Sequence, residues 1–144
     1  MNNLKIEEAI NLFGVYSCRP QGTSMFPTLD TERDTVVLRK KEARLKKYDV
    51  ALYRRPDGTC VLHRVMAQED GGYTMCGDNQ WKLERGVRED AVIAYLEGFY
   101  RGDKYISCDS RRHRAYVRFW CASLFLRRCV LSVLWRLKKH KNAR

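Results

Sequence analysis

From residue 35 to about residue 99 the chain is written in short apolar runs separated by turn residues, a texture that limits this stretch to packed strands. The runs 35–38, 49–53, 60–66 and 73–76 read as strands, with Pro56-Asp57-Gly58 and Asp70-Gly71-Gly72 as turns between them. The run 91–100 fits strand or helix by pattern alone. Short strands at this spacing predict a small, mainly β body, coiled or barrel-like.

The two ends have a different texture. Leu4, Ile6, Ala9, Ile10, Leu12 and Phe13 fall roughly on one face, with Gly14 as a stop, which predicts a short amphipathic helix over 3–15 that covers the core. Beyond Asp109, Arg111-Arg112-His113-Arg114 leads into an apolar stretch over 115–137, broken by Arg118, Arg127, Arg128 and Arg136. It closes on Lys138-Lys139-His140-Lys141. The expected organisation is a catalytic-sized body, 1–109, and a basic, amphipathic helical tail, 110–144. Charge divides the same way: residues 1–100 hold 15 Lys/Arg against 15 Asp/Glu, and residues 101–144 hold 13 against two. The net +11 therefore belongs to the tail, which disfavours a nucleic-acid footprint spread over the body.

The six cysteines show neither a C-x-x-C pair nor a Cys/His cluster at metal spacing, so reduced, partly buried thiols are expected, with no metal and no cofactor. No cleavable signal peptide is visible at the N-terminus. Free thiols and that absence together favour a cytoplasmic-side location.

The segment Gly22-Thr23-Ser24-Met25-Phe26-Pro27-Thr28 stands between the first helix and the first strand. A serine hydroxyl is a poor nucleophile until a base takes its proton, and a lone serine in such a loop is ordinarily a turn residue. This one precedes a strand histidine, His63, whose imidazole ionises near neutrality and can act as base. Asp78, in Gly77-Asp78-Asn79, is the carboxylate that could orient it, although the same triplet is also good turn chemistry. Arg64 would point to the opposite strand face and is expected to pair with an acid. His113 and His140, in basic surroundings, read as solvated.

Taken in order, Gly22-Thr23-Ser24-Met25-Phe26-Pro27-Thr28-Leu29, Tyr48-Asp49-Val50-Ala51-Leu52-Tyr53, Leu62-His63-Arg64-Val65 and Gly77-Asp78-Asn79 resemble the motif boxes of type I signal peptidases and their relatives, over roughly residues 20–105. Tyr48 stands where the family usually has glycine. The resemblance is to the histidine-base version. It implies the small coiled β body of that family, Ser24 as nucleophile, His63 as base and Asp78 as third member. It also implies Met25 and Pro27 beside the substrate, and the Ser24 N–H with the Thr23 hydroxyl as oxyanion donors. Where the histidine version often has a further aspartate, this chain offers Glu84.

The tail is not expected to span a bilayer. Arg127 and Arg128 would sit at its centre, each costing about 2.5–3.5 kcal/mol there. Two readings remain. One is an interfacial helix on an anionic membrane surface, with Trp120 and Trp135 at the headgroups. The other is a helix packed on the body or a partner with its arginines turned outward. The expected function is a serine endopeptidase acting on a leader peptide or exported precursor at a membrane surface. The alternative is a non-catalytic module that uses its basic tail on membrane or nucleic acid.

Overall fold

In the computed structural model, which describes residues 3–143 with side chains from residue 6 onward, the strand β3 (Val50–Arg54) is buried on both faces. Val50 and Leu52 enter one core with Ile6 and Ile10 of α1 (Asn3–Phe13), while Ala51 and Tyr53 enter a second with Val65, Tyr73 and Met75. Period-two alternation thus feeds two cores from one strand, the pattern of a strand covered on both sides. Leu4, counted on the apolar face of α1, lies outside the described side chains. Gly14 ends α1 at φ +75°, its N–H donating to Ile10 O at 2.9 Å, a left-handed stop that costs glycine little.

The strands form one antiparallel sheet. Its elements are β1 (Val15–Cys18), β2 (Asp34–Lys40), β3, β4 (Cys60–Glu69), β5 (Gly72–Cys76), β6 (Glu84–Arg88), β7 (Val92–Arg101) and β8 (Lys104–Ser107). The order is β1-β2-β7-β3-β4-β5-β6, with β8 also pairing β7. The ambiguous run 91–100 is therefore strand: β7 pairs with β2, β3 and β8, and those ladders decide what periodicity left open. Three strands carry no clear sequence signal. β1 and β8 are only four residues long, and β6 buries Val87 alone. Short or edge strands have too few inward positions to show alternation.

The tail forms two helices, not one: α2 (Arg111–Cys121) and α3 (Leu124–Asn142). Ser123 caps the second, its hydroxyl accepting from the Leu126 N–H at 3.3 Å, which separates the pair at Ala122. His113, expected in solvent, is buried. With Val117 and Cys121 it forms a stripe at four-residue spacing, and its ring sits against Phe99 and Tyr116. Arg127 is likewise turned inward rather than outward, at 2% exposure. His140 is exposed, as expected. All six cysteines are unpaired. Among the described residues, no helix is long and apolar enough to cross a membrane.

Tyr48 has φ +78°, the one non-glycine residue in the left-handed region among the described residues. Its backbone is fixed there because its N–H donates to Val65 O and its carbonyl accepts from Arg64 Nη1, both at 2.7 Å. A Cβ is disfavoured in this conformation, so Tyr48→Gly is expected to raise stability by about 0.5–1 kcal/mol. Chemical unfolding measures it; a loss of stability would mean that the ring's contact with Lys47, 5.0 Å from Nζ to centroid, outweighs the strain.

Candidate catalytic site

Register places His63. His63 on β4 faces Ala51 on β3, so Tyr53 lies one diagonal step along the same face, within reach for a long side chain. The Tyr53 hydroxyl is 3.2 Å from His63 Nδ1 and donates to Glu84 Oε2 at 2.6 Å. Glu84 itself takes two hydrogen bonds from Arg55, Nε to Oε1 at 3.1 Å and Nη2 to Oε2 at 2.8 Å. Those bonds hold its carboxyl below the usual range although partial burial opposes them, so it is an acceptor only. Burial, then the Glu84 hydrogen bond and charge, push the Tyr53 phenol well up, so it stays protonated.

These facts fix a tautomer. The phenol has one hydrogen, and the carboxylate takes it. Its oxygen can then only accept from His63, so the imidazole proton is on Nδ1 and Nε2 keeps its lone pair. Burial lowers the His63 pKa from its ordinary 6.5, with Arg55 adding to the fall, while Glu84 and Asp78 oppose it. The ring is neutral at pH 7, as a base must be.

Ser24 reaches this site through backbone contacts. Its carbonyl accepts from the Asn79 N–H at 2.8 Å, and Asn79 Nδ2 donates to Thr23 O at 3.0 Å. Arg64–Cys76 is the last pair of the β4–β5 ladder, so Gly77 is the first residue beyond it, at the end of the ladder where His63 precedes Arg64. A Cβ on Gly77 would meet Ser24 O at 2.5 Å. Glycine is needed there so that the serine loop can lie against the Gly77–Asn79 backbone. Among the described residues no hydrogen bond joins the Ser24 hydroxyl to His63. Catalytic hydrogen bonds are often long without substrate and tighten in the complex.

The remaining expected residues are placed differently. Met25 is 5% exposed in the core with Ile10 and Leu29, so it is a packing residue and not a substrate contact. The reason is its turn position, which aims an apolar side chain inward beneath the exposed Thr23. Pro27 is half-buried and does not line the cleft described below. The Ser24 N–H and the Thr23 hydroxyl enter no hydrogen bond among the described residues, and both remain available as oxyanion donors.

Asp78 is the main correction. It is fully buried, and both of its oxygens bind Arg64, Nε to Oδ1 at 2.8 Å and Nη2 to Oδ2 at 2.6 Å. Thr28 Oγ1 also donates to it. Burial raises its carboxyl pKa, but the Arg64 charge and hydrogen bonds outweigh that and hold it below the usual range. Asp78 makes no hydrogen bond to His63; two buried charges of opposite sign satisfy each other. The groups at His63 Nδ1 are instead Tyr53 and, through it, Glu84, whose Oε2 is 4.0 Å from that nitrogen. No motif marks this pair, because a strand register and an edge strand bring it together.

The tail helices brace the same loop. Trp120 Nε1 donates to Asp78 O at 2.9 Å, and Arg127 Nη1 donates to Gly77 O at 3.3 Å and Gln80 O at 3.2 Å. Trp135 of α3 stacks on Trp81, with ring centroids 5.2 Å apart. Those two rings, with His63, Asn79, Arg55 and Glu84, wall an open cleft of about 560 Å³. Ser24 is not one of its lining side chains. Asn79 lines the cleft, and its buried Oδ1 has no hydrogen-bond partner among the described residues. A larger cavity, about 660 Å³, lies between the 42–49 loop and α2. It is lined by charges of both signs, and its Cys108 thiol is pushed up to about 12 by burial and stays protonated, so the cleft that holds His63 is the better candidate. No family model, curated protein or solved structure matches this chain.

Proposed function

We propose that this chain is a serine endopeptidase with Ser24 as nucleophile and His63 as general base, built on the coiled β body of the signal peptidase type. The observation that carries the reading is the Tyr53–Glu84 arrangement, which leaves His63 Nε2 unprotonated in a cleft also lined by Asn79, whose N–H holds the Ser24 carbonyl. In the first step Ser24 Oγ attacks the scissile carbonyl carbon while Nε2 takes its proton. The oxyanion then faces the Ser24 N–H and Thr23. As the C–N bond breaks, His63 returns the proton to the leaving amine, and an acyl ester remains on Ser24. Water attacks the ester, giving one proton to Nε2, and that proton goes back to Ser24 Oγ as the acid leaves. Glu84, through Tyr53, stabilises the imidazolium formed twice in this cycle. The ordered motif boxes support a leader peptide or exported precursor as substrate.

A peptide mixture incubated with the protein and read by mass spectrometry tests the proposal. Cuts made by the wild-type chain and absent with Ser24→Ala support it. The same cuts made by Ser24→Ala overturn it, and no cuts at all would favour the non-catalytic binding module.

The pH profile tests the orienting pair separately. With the His63 pKa lowered, kcat/KM is expected to fall on the acid side with an inflection below 6.5. Glu84→Gln removes a charge that raises this pKa and leaves Arg55, which lowers it, unpaired. The inflection should move to lower pH, and the plateau should drop on the order of 10–100-fold as the imidazolium loses support. An unmoved inflection, or one displaced upward, would exclude Glu84 from this role.

A further inference from the structure

The outer face of α3 has no partner among the described residues. Leu126, Val130, Val133 and Leu137 recur at spacings of four, three and four, so they form one stripe, and each is 45–62% exposed. The helix docks by a different edge, where Arg127 and Leu131 are buried and Trp135 meets Trp81. At the corner between α2 and α3, Phe119 and Phe125 are 81% and 71% exposed. A continuous apolar stripe along a helix about 28 Å long is a binding surface, since isolated domains seldom leave such faces to water.

Charge decides what covers it. α3 carries six Lys/Arg and no Asp/Glu, and at 100° per residue Arg136 and Lys141 flank the stripe on its two sides. A second copy of the chain would bring like charges together along the same contact. A nucleic acid would satisfy the cations but offer nothing to four aliphatic side chains. A bilayer with anionic headgroups satisfies both, taking the stripe into the acyl boundary and the cations at the phosphates. We propose that α3 lays this face on an anionic lipid bilayer. The stripe faces lipid while Trp135, on another side of the same helix, walls the His63 cleft, so docking holds that cleft beside the membrane surface. The proposal is independent of whether Ser24 and His63 perform peptide cleavage.

Vesicle co-sedimentation tests it, with phosphatidylcholine alone and with about a third phosphatidylglycerol added. Each basic residue near an anionic surface strengthens binding about fivefold, so the wild-type chain should favour the mixed vesicles at least tenfold. Val130→Asp with Val133→Asp, at exposed positions that leave the buried edge intact, should lose at least tenfold of this binding. Arg136→Glu with Lys141→Glu should do the same, and salt should weaken wild-type binding. Circular dichroism checks that both variants remain folded. Equal partition on the two vesicle types, or full binding by the Val130/Val133 variant, overturns the proposal. So does a dimer or a duplex DNA complex that forms with the wild-type chain and is lost in the Val130/Val133 variant while vesicle binding is absent.

Discussion

Replacing His63 by alanine is expected to abolish cleavage, lowering kcat/KM by roughly 10⁴-fold or more, and Ser24→Ala should cost as much. The two losses should not add. A serine without a base and a base without a serine fail at the same step, so the double variant should match either single one within about a factor of ten. Stability should respond very differently to the two changes. Ser24 is half-exposed, and its hydroxyl enters no hydrogen bond among the described residues, so its loss should change unfolding by less than about 0.5 kcal/mol. His63 is 3% exposed, and its removal opens space beside Tyr53, so a cost of about 1–3 kcal/mol is expected. Cleavage assayed at a temperature where both variants are folded separates chemistry from stability. Independent, multiplicative losses would show that the two residues do not act as one unit.

Asp78→Asn is expected to be the most destabilising conservative change in the body. It leaves the Arg64 guanidinium buried, at 2% exposure, without its counter-charge, and breaking such a pair costs about 3–5 kcal/mol. For a chain of this length that corresponds to a fall in Tm of roughly 6–20 °C. Adding Arg64→Met should recover part of the loss, because the stranded charge rather than the missing carboxylate is the main cost. The pH dependence has a definite sign. The Asp78 carboxyl titrates lower in the folded chain than its ordinary 3.8, so the pair contributes its full stability above that value. That contribution is lost as pH falls through the folded value, and the wild-type Tm should drop steeply only below about pH 4. If Asp78→Asn unfolds within 1 kcal/mol of wild type, the pair does not fix the 77–80 loop. Asp78→Asn should also shift the catalytic acid limb less than Glu84→Gln, since Glu84 is the stronger of the two charges opposing the fall in the His63 pKa.

These two expectations differ in how far the sequence anticipates them. Ser24 and His63 stand out because the proposed nucleophile, in a turn, and the proposed base, on a strand, belong to recognisable local strings. The role of Asp78 is not local. Gly77-Asp78-Asn79 reads the same whether the carboxylate turns toward His63 or toward Arg64, and the closed site decides for Arg64. Arg64 was legible as a partner for an acid because neighbouring strand residues point to opposite faces. Glu84 was visible only as a substitute near an expected acid, and Tyr53 only as a strand residue. Their link to His63 depends on the β3–β4 register and on β6, an edge strand whose one buried side chain gives no periodic signal.

By itself the sequence determined the mainly β body, the N-terminal helix and its glycine stop, the strands with enough inward positions to alternate, and the concentration of positive charge beyond residue 100. Each follows from short-range physics: side-chain periodicity, turn conformations and the count of charges. Only the tertiary structure decided that the run 91–100 is a strand, that the tail breaks at Ser123 into two helices, and that Arg127 turns inward to hold the Gly77–Gln80 backbone. The same holds for Met25 in the core, His113 on the buried face of α2 and Asp78 on Arg64. These outcomes depend on what stands opposite each residue once the sheet is closed. A ladder partner, a buried counter-charge or a free carbonyl is supplied by chain far away in sequence, and no local pattern encodes it.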